Sequence, residues 1–383
     1  MSKFVVICKH TLFSHDNQEI YGTGSAIPGY LSDKQIDYFV IKHALSNKSS
    51  VSMAIESNIN GKINNRIVTG RVSNNLIIKT LQELFVTYKL ISQLKKPIDI
   101  FIGVDPLNAL YGIIISTRIK INKLIFYTAD YAIQRFANPV LNWIYHIIDR
   151  FASKKANQVW NVSSRITKLR EKQGIEKKAN FFVPNTPQIN KIKILDYNNI
   201  NHHRLIIVSA DKTFDLVPVF EAVSVLSKKY KDIRLKIIGM KKWEKDYKSI
   251  INKLNIKRSV DFIGIIPHEK FLASLSKGAL GLALYTKQHN WTYFSDSMRI
   301  RDFVACGLPV ITTNVSSTAD DIIKERAGYV IDLNKKNQLI TAIDSLFCDK
   351  KKYIQYRNNA IKLSKKYDIN KILDKLFNNS LHK

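Results

Sequence analysis

Short apolar runs alternate with helix-like segments along most of this chain. Residues 4–8, FVVIC, are wholly apolar and rich in β-branched side chains, which is typical of a central strand buried on both faces. Similar runs follow in the first half of the chain, at residues 38–41, 51–55, 98–103, 124–127 and 159–162. Helical patterns separate several of these runs, notably at residues 76–94, 107–115 and 140–151. This alternation predicts an α/β fold with a parallel, doubly wound sheet.

The same alternation begins again in the second half, after a polar segment. Strands are predicted there at residues 204–209, 234–239, 260–264 and 281–285, and helices at residues 336–347, 351–366 and 370–377 close the chain. With 383 residues the chain has room for two domains that each bury a core. We therefore predict a first domain at 1–190, a linker at 191–203, a second domain at 204–355 and C-terminal helices at 356–383.

The charge of the chain is strongly positive, with 60 Lys and Arg against 31 Asp and Glu and a net charge of +29. Such an imbalance indicates an anionic partner: nucleic acid, an anionic membrane surface or a phosphorylated substrate. A lysine-rich composition without a functional purpose is the alternative. The chain begins without a signal-peptide pattern and has no apolar run that could span a bilayer. Its three widely spaced cysteines suit a reducing compartment, so we expect a cytoplasmic protein, soluble or peripheral.

Residues 295–313, SDSMRIRDFVACGLPVITT, combine a helix start with groups that bind anions and hydroxyls. Gly307 and Pro309 are the expected signals for the end of that helix. The free N–H groups at its start favour a phosphate. Arg299 can bind a phosphate bidentately, and Asp302, on the same side of the helix, can accept hydrogen bonds from two hydroxyls. The pair suits a nucleotide sugar, although an ordinary surface ion pair would have the same spacing.

Polar residues at strand ends offer further candidates in the first half of the chain. Gly22 and Gly24 lie in a turn that either approaches a ligand closely or is a plain turn. Asp105 and Asp130 follow two predicted strands, and ligands of open α/β sheets bind at the carboxyl ends of the strands. For each aspartate the alternative is that it caps the following helix.

The segment 295–313 resembles the donor-site motif of retaining GT-B glycosyltransferases of the group 1, or family-4-like, type. In that motif an acidic residue follows a basic one by three positions, and small residues and Gly-x-Pro-Val-Ile come next. The matching residues are Ser297, Arg299, Ile300, Asp302, Phe303, Ala305, Gly307, Pro309, Val310 and Ile311. Two departures stand out. The acidic residue is Asp302 instead of Glu, and another Glu expected near Phe294 is missing, with Asp296 the nearest carboxylate.

Other segments resemble the same family. Residues 158–163 and 182–187 resemble the end of its first domain, although Thr186 replaces the usual Gly. Residues 209–216 resemble its donor loop, with Lys212 at the position of a lysine that contacts the donor diphosphate. Asp130 lies in the sequence IFYTADYAIQRF, which resembles a segment at the cleft of some members.

The resemblance implies a GT-B fold, in which two Rossmann-like doubly wound parallel-sheet domains face each other across a cleft. The N-terminal domain would bind the acceptor and the C-terminal domain the nucleotide sugar. The implied catalytic residues are Arg299, Lys212 and Asp130. The implied donor-binding residues are Ser209, Lys212, Gly239, Gly264, Ile265, Tyr293, Ser297, Met298, Arg299 and Asp302. On the acceptor side of the cleft, the resemblance and the positions at strand ends and turns indicate four candidate residues: Gly22, Gly24, Asp105 and Asp130.

The function implied by the resemblance is transfer of a sugar, expected to be a hexose, from a nucleoside-diphosphate donor with retention of configuration. No metal or other cofactor is expected, because cationic side chains can neutralise the diphosphate. The positive charge favours an envelope glycan or lipid-linked acceptor at the inner face of the cell membrane. Residues 140–151 are a candidate membrane-facing helix, with a core helix as the alternative.

Two functions of other classes stay open at this point. A non-catalytic accessory subunit with the GT-B fold is favoured by the departures from the donor motif. A basic nucleic-acid-binding protein is disfavoured, because no known binding module is recognised in the sequence.

Overall fold

The computed structural model describes residues 3–14, 17–46, 49–187, 189, 192–209, 215–286, 291–335 and 337–381. They form two compact α/β units, one made of Met1–Asn185 with Leu373–Lys383 and the other of Thr186–Ile372. The segment predicted as a linker, 191–203, lies within the second unit, and the chain returns to the first unit only at Leu373. Among the described residues no helix is long and apolar enough to cross a membrane.

The first unit is built on an eight-stranded sheet in the order β4-β3-β2-β1-β5-β6-β7-β8. Its strands are β1 Phe4–Thr11, β2 Asp37–Ala44, β3 Val51–Ile59, β4 Lys62–Thr69, β5 Ile98–Val104, β6 Ile121–Thr128, β7 Gln158–Asn161 and β8 Asn180–Phe182. Strands β1, β2 and β5 to β8 pair in parallel, as predicted.

The sheet of the first unit is nevertheless mixed, because β3 pairs antiparallel with both β2 and β4. The sequence analysis did not predict β4. The signal for it is Asn60-Gly61, where both residues have positive φ, 52° and 78°, as a tight two-residue hairpin turn requires. The strand–helix alternation predicted a wholly parallel sheet, but one edge of the sheet is an antiparallel hairpin.

Helices separate most of the strands of the first unit. They are α1 Ile27–Asp33, α2 Leu76–Gln93, α3 Pro106–Ile115, α4 Pro139–Lys155 and α5 Ser164–Lys172. Asn75, Asn138 and Ser163 cap α2, α4 and α5 through their side-chain oxygens. Each of α2, α3 and α4 connects parallel strands in the same direction along the sheet, so right-handed crossovers place all three on one face. Helix α3 contacts α2 on one side and α4 on the other.

The second unit is wholly parallel, with six strands in the order β11-β10-β9-β12-β13-β14. The strands are β9 Arg204–Val208, β10 Arg234–Ile238, β11 Val260–Ile263, β12 Leu280–Ala283, β13 Val310–Thr313 and β14 Gly328–Ile331. The helices are α6 Val217–Leu226, α7 Glu244–Lys253, α8 His268–Ser276, α9 Met298–Ala305, α10 Thr318–Lys324, α11 Gln338–Phe347 and α12 Lys350–Lys366. One continuous apolar core joins the sheet to these helices.

The last helix, α13 Ile369–Leu381, belongs to the first unit from Leu373 onward. Its buried Phe377 places its ring centroid 6.0 Å from that of Trp160 and 5.6 Å from that of Tyr30. The Tyr30 hydroxyl donates to Asp374 at 3.0 Å. The C-terminal end of the chain therefore completes the core of the first unit.

We predict that replacing the buried Arg170 by methionine will strongly destabilise the first unit. Arg170 Nη2 donates to Asp149 Oδ1 at 2.6 Å and to Thr128 Oγ1 at 3.1 Å, and both charged side chains are fully buried. Loss of the cation leaves a buried carboxylate uncompensated, which costs about 3–5 kcal/mol. Urea unfolding of Arg170→Met measures the loss, and the exposed Lys168→Met is the matched control. A loss no larger than that of the control would contradict the prediction.

Candidate functional site

The predicted helix start in the second unit is present, and neighbouring elements hold it in place. Ser297 caps α9, because its Oγ accepts a hydrogen bond from the backbone N–H of Ile300 at 3.2 Å. The Tyr285 hydroxyl lies 2.5 Å from the same Oγ, and the backbone N–H of Ser297 donates to Thr318 Oγ1 at 2.8 Å. The N-terminus of α9 is therefore fixed by the residues after β12 and by the start of α10.

Close packing against the sheet also positions α9. A Cβ atom on Gly281 of β12 would lie 2.4 Å from the Phe303 ring, so only glycine allows α9 to approach the strand this closely. The helix N-terminus thereby reaches the carboxyl edge of β12. From β9, successive strands are added on one side of the sheet, and from β12 onward they are added on the other side. The order of the strands therefore reverses between β9 and β12. That switch point is where ligands of open α/β sheets bind.

Asp302 is a buried carboxylate without a protein partner for one of its oxygens. Its Oδ1 is inaccessible to solvent and makes no hydrogen bond with any described residue. Burial raises the pKa of Asp302 from 3.8 to about 7. Because Asp302 is buried, the alternative of a surface ion pair with Arg299 is wrong.

Two hydroxyls that follow strands of the second unit also lack partners among the described residues. Thr286 Oγ1 follows β12 and Ser316 Oγ follows β13, and both are buried without a hydrogen bond to the described part of the chain. Buried polar groups are normally satisfied, and clusters of exceptions mark positions where a ligand or water completes the bonding. The segments after β12 and β13 thus hold two buried hydroxyl oxygens, and α9 holds one buried carboxylate oxygen, that lack a partner among the described residues.

Arg299 and Met298 occupy the first turn of α9 and are both half-buried. The Arg299 guanidinium lies over the Tyr285 ring, with 6.0 Å between its central carbon and the ring centroid. A planar cation beside the helix N-terminus adds to the positive electrostatic potential of that end. The turn is suited to a phosphate group.

Arg301 is a structural residue of this site that the sequence analysis missed. Its Nη2 donates to Asp296 Oδ1 at 2.7 Å and to Asp321 Oδ2 at 2.8 Å, and its side chain is 3% exposed. Asp296, the carboxylate nearest to the missing Glu of the motif, is therefore bonded within the protein. The sequence feature that could have indicated Arg301 is the second arginine of MRIRD, at a position where the donor motif specifies no residue.

The remaining predicted donor-site residues of the second unit follow the carboxyl ends of successive strands. Ser209 follows β9, Gly239 follows β10, and Gly264 and Ile265 follow β11. Tyr293 lies in a short helical turn between β12 and α9 and is 53% exposed, and Ile265 is 87% exposed. Lys212 lies outside the described residues. The topology thus brings the described candidates of this unit to one edge of its sheet.

Two predicted candidates of the first unit also lie at strand ends. Asp105 and Asp130 follow the adjacent strands β5 and β6, and Asp105 Oδ1 accepts a hydrogen bond from the backbone N–H of Ala129 at 3.3 Å. Asp105 makes no capping hydrogen bond to α3, and Asn138 caps α4, so the helix-capping alternative is wrong for both aspartates. Gly22 and Gly24 form a turn closed by a hydrogen bond from Ser25 N to Gly22 O.

Asp105 is strained and electrostatically perturbed. Its φ of 73° with ψ of 160° is a conformation that side chains rarely adopt and that often occurs at functional sites. Burial and the charge of Asp130 raise the pKa of Asp105 to about 6. Asp130 is itself paired with Arg135. His10, the next-to-last residue of β1, has its Nε2 at 2.9 Å from Glu83 Oε2, and its charge lowers the pKa of Asp105. Arg135 and His10 were not singled out from the sequence.

The sequence comparisons find matches in the second unit. Residues 207–363 match the family model described as glycosyl transferases group 1. A protein of Haemophilus influenzae described as an uncharacterized glycosyltransferase is 24% identical over 151 residues, which is 39% of this chain and 40% of that protein. The match therefore spans less than half of this curated relative.

The comparison of structures covers both units. A sucrose-phosphate synthase from Thermosynechococcus elongatus has a TM-score of 0.69 at 12% identity, covering 98% of both chains. HepE from Anabaena, solved with UDP-glucose, has a TM-score of 0.66 at 12% identity, covering 98% of this chain and 99% of that one. At these identities the likeness shows the fold, which is GT-B. The fold predicted from the sequence is confirmed, and so is the resemblance to group 1 glycosyltransferases.

We predict that Asp302→Asn will stabilise the protein at pH 8. A carboxyl whose folded-state pKa lies above its unfolded value costs stability as the pH rises from about 4 through 7, because the buried group must ionise. The shift from 3.8 to about 7 corresponds to about 4 kcal/mol at full ionisation. Thermal unfolding should give a higher Tm for the variant at pH 8 and a vanishing difference near pH 4. The exposed Asp261→Asn should show no such pH-dependent gain, and a destabilised Asp302→Asn at pH 8 would refute the assignment.

Proposed function

We propose that this chain, whose residues 207–363 match the group 1 glycosyl transferases, moves a sugar from a nucleoside-diphosphate donor to an envelope glycan or lipid-linked acceptor. The observation that carries the proposal is the buried carboxylate of Asp302, which lies on α9 three residues after Arg299 and keeps one oxygen without a partner among the described residues. A carboxylate that accepts two hydroxyl hydrogen bonds next to an anion-binding helix end matches a ribose joined to a diphosphate.

The donor would lie along the carboxyl edge of the second sheet. Its ribose diol bonds to Asp302, and its diphosphate lies at the capped start of α9 beside Arg299. Thr286 and Ser316 supply two more buried hydroxyls at the same edge, where sugar hydroxyls need partners. Gly264 and Ile265 follow β11, three strands away from β12, and would face the base. HepE, with the same fold, was solved with UDP-glucose, which supports a nucleotide sugar as the donor, with a hexose as the sugar.

Transfer would depend on stabilising the leaving diphosphate. Arg299 and, from its sequence position, Lys212 provide positive charge where negative charge develops as the sugar–oxygen bond breaks. The acceptor hydroxyl attacks the anomeric carbon from the face that the diphosphate leaves, and its proton passes to the departing phosphate oxygen, so that the configuration is retained. These cations make the mechanism independent of a metal ion.

The acceptor would bind at the strand ends of the first unit. Asp105 and Asp130 are two carboxylates whose environments differ, because Asp130 is paired with Arg135 while burial raises the pKa of Asp105 to about 6, so that Asp105 is partly protonated at mildly acidic pH. Such a pair can both accept and donate hydrogen bonds to the hydroxyls of a glycan. The net charge of +29 supports an enzyme in the cytoplasm that works in peripheral contact with the anionic inner face of the cell membrane.

Titration calorimetry with UDP, GDP, ADP and CMP tests the donor site. We expect one nucleotide to bind with micromolar affinity, and Arg299→Ala and Asp302→Ala to weaken that binding strongly. Lys253→Ala, an exposed position on α7, is the matched control and should bind like the parent. Binding that survives both site variants would refute the assignment of the site, and a protein that binds none of the four would be the non-catalytic accessory subunit.

The affinity for the nucleotide should also rise with pH. Only the ionised Asp302 carboxylate accepts two hydroxyl hydrogen bonds, and its pKa of about 7 leaves it mostly protonated at pH 6. The ionised fraction, and with it the affinity, should therefore increase roughly tenfold between pH 6 and pH 8. Asp302→Asn should bind weakly at both pH values without this increase. A parent affinity independent of pH would contradict the role of Asp302.

A further inference from the structure

Helix α4 turns an apolar face to solvent. Five large apolar side chains lie on its outer side at spacings of three and four residues, which places them in one stripe: Val140, Trp143, Ile144, Ile147 and Phe151. Trp143 is 64% exposed and Val140 is 62% exposed. The side that packs on the sheet carries Asp149, Ala152 and Ser153. A surface helix normally has the opposite arrangement, with its apolar side on the core.

Helix α2 likewise exposes apolar side chains and buries polar ones. Ile77, Leu81 and Phe85 recur every four residues and are 70%, 61% and 66% exposed. Its buried positions are Glu83, Thr87 and Ile91, two of which are polar. The sequence analysis did not single out this face.

Both stripes lie on one surface of the first unit. Helices α2, α3 and α4 cover the same face of the sheet, and α3 lies between the other two. Neighbouring packed helices are about 8–10 Å apart, so the stripes on α2 and α4 run about 20 Å apart. Ile114 on α3 is also exposed, at 42%. Single exposed apolar residues are ordinary, but two parallel stripes on one face indicate a binding surface.

The charge around this surface is almost entirely positive. In residues 60–96 and 133–155 the only acidic residues are Glu83 and Asp149, and both are buried in polar contacts, with His10 and Arg170 respectively. The same segments contain the cations Lys62, Arg66, Arg71, Lys79, Lys89, Lys95, Lys96, Arg135, Arg150, Lys154 and Lys155. Three of these cations form ion pairs, namely Lys79 with Glu83, Lys96 with Asp37 and Arg135 with Asp130. Strand β4 contributes to this side of the sheet, because Arg66 and Lys62 pair with Ile55 and Ile59, which pack against the core beneath α2.

We propose that the first unit docks on an anionic lipid bilayer through the outer faces of α2 and α4. Apolar and aromatic side chains on one face, flanked by Lys and Arg, are what a helix lying in the headgroup region presents. A second copy of this chain would bring the same cations together, so the charge favours lipid over self-association. The proposal rests on the membrane contact of the proposed function and names the surface that makes it.

Flotation of the full chain with vesicles tests this surface. The protein should float with vesicles of phosphatidylcholine mixed with phosphatidylglycerol. With vesicles of phosphatidylcholine alone it should remain unbound in the bottom fraction. The variants Leu81→Ser/Phe85→Ser on α2 and Trp143→Ser/Ile147→Ser on α4 should each lower partitioning at least about tenfold, since each removes two inserted apolar side chains. The matched control is Val225→Ser/Ile323→Ser in the second unit, which also changes two exposed apolar residues and should float like the parent.

A charge variant tests the electrostatic part. Lys89→Glu/Arg150→Glu should weaken flotation with the anionic vesicles, and Lys231→Glu/Lys253→Glu in the second unit should weaken it less. Nucleotide binding measured on every variant separates this proposal from the donor site, because the surface variants should keep the parent affinity. Two results would overturn the proposal: α2 and α4 variants that float like the parent, or sedimentation that shows a parent dimer dissociated by the same substitutions.

Discussion

The geometry of the proposed donor site depends on Arg301. Its guanidinium joins Asp296, in the segment before α9, to Asp321 in α10. Asp296 also accepts a hydrogen bond from Thr318, whose hydroxyl in turn accepts one from the backbone of Ser297, the N-cap of α9. A buried cation between two carboxylates is stable only while all three charges are present, since the loss of one leaves the others uncompensated. The network therefore holds the helix start in one geometry before any ligand arrives.

Asp302, the next residue along α9, lacks the partners that Arg301 has. The charge of Arg301 is balanced within the protein, whereas the Asp302 carboxylate keeps a buried oxygen without a partner among the described residues. Such a group lowers stability near neutral pH, and a structural role would be served better by an apolar or amide side chain. This cost argues against a non-catalytic subunit, which would gain stability by losing Asp302. The shorter reach of Asp compared with Glu is consistent with a ligand drawn close to the helix.

Much of the second unit could be predicted from the sequence, because its elements are local. Gly307 and Pro309 end α9, Ser297 caps it, and the apolar runs of its parallel strands are short and separated by helices. What the sequence could not provide are contacts between distant segments. Asp321 lies 20 residues beyond Arg301, and nothing in the spacing shows that the two side chains meet. In the first unit, the turn at Asn60-Gly61 was a local signal for β4 that the apparent strand–helix alternation obscured.

Periodicity locates the stripe on α4 but does not say which way it faces. The sequence left a core helix and a membrane-facing helix as alternatives, and the structure shows that the apolar stripe is exposed, because the buried side of α4 carries Asp149 and Ser153. In the second unit, by contrast, large exposed apolar residues such as Val225 and Ile323 lie on separate helices. A face of clustered apolar residues would promote association of free molecules, and a net charge of +29 opposes this by repulsion between copies. The same charge attracts an anionic surface, so one property of the sequence opposes association between copies and favours the contact proposed for α2 and α4.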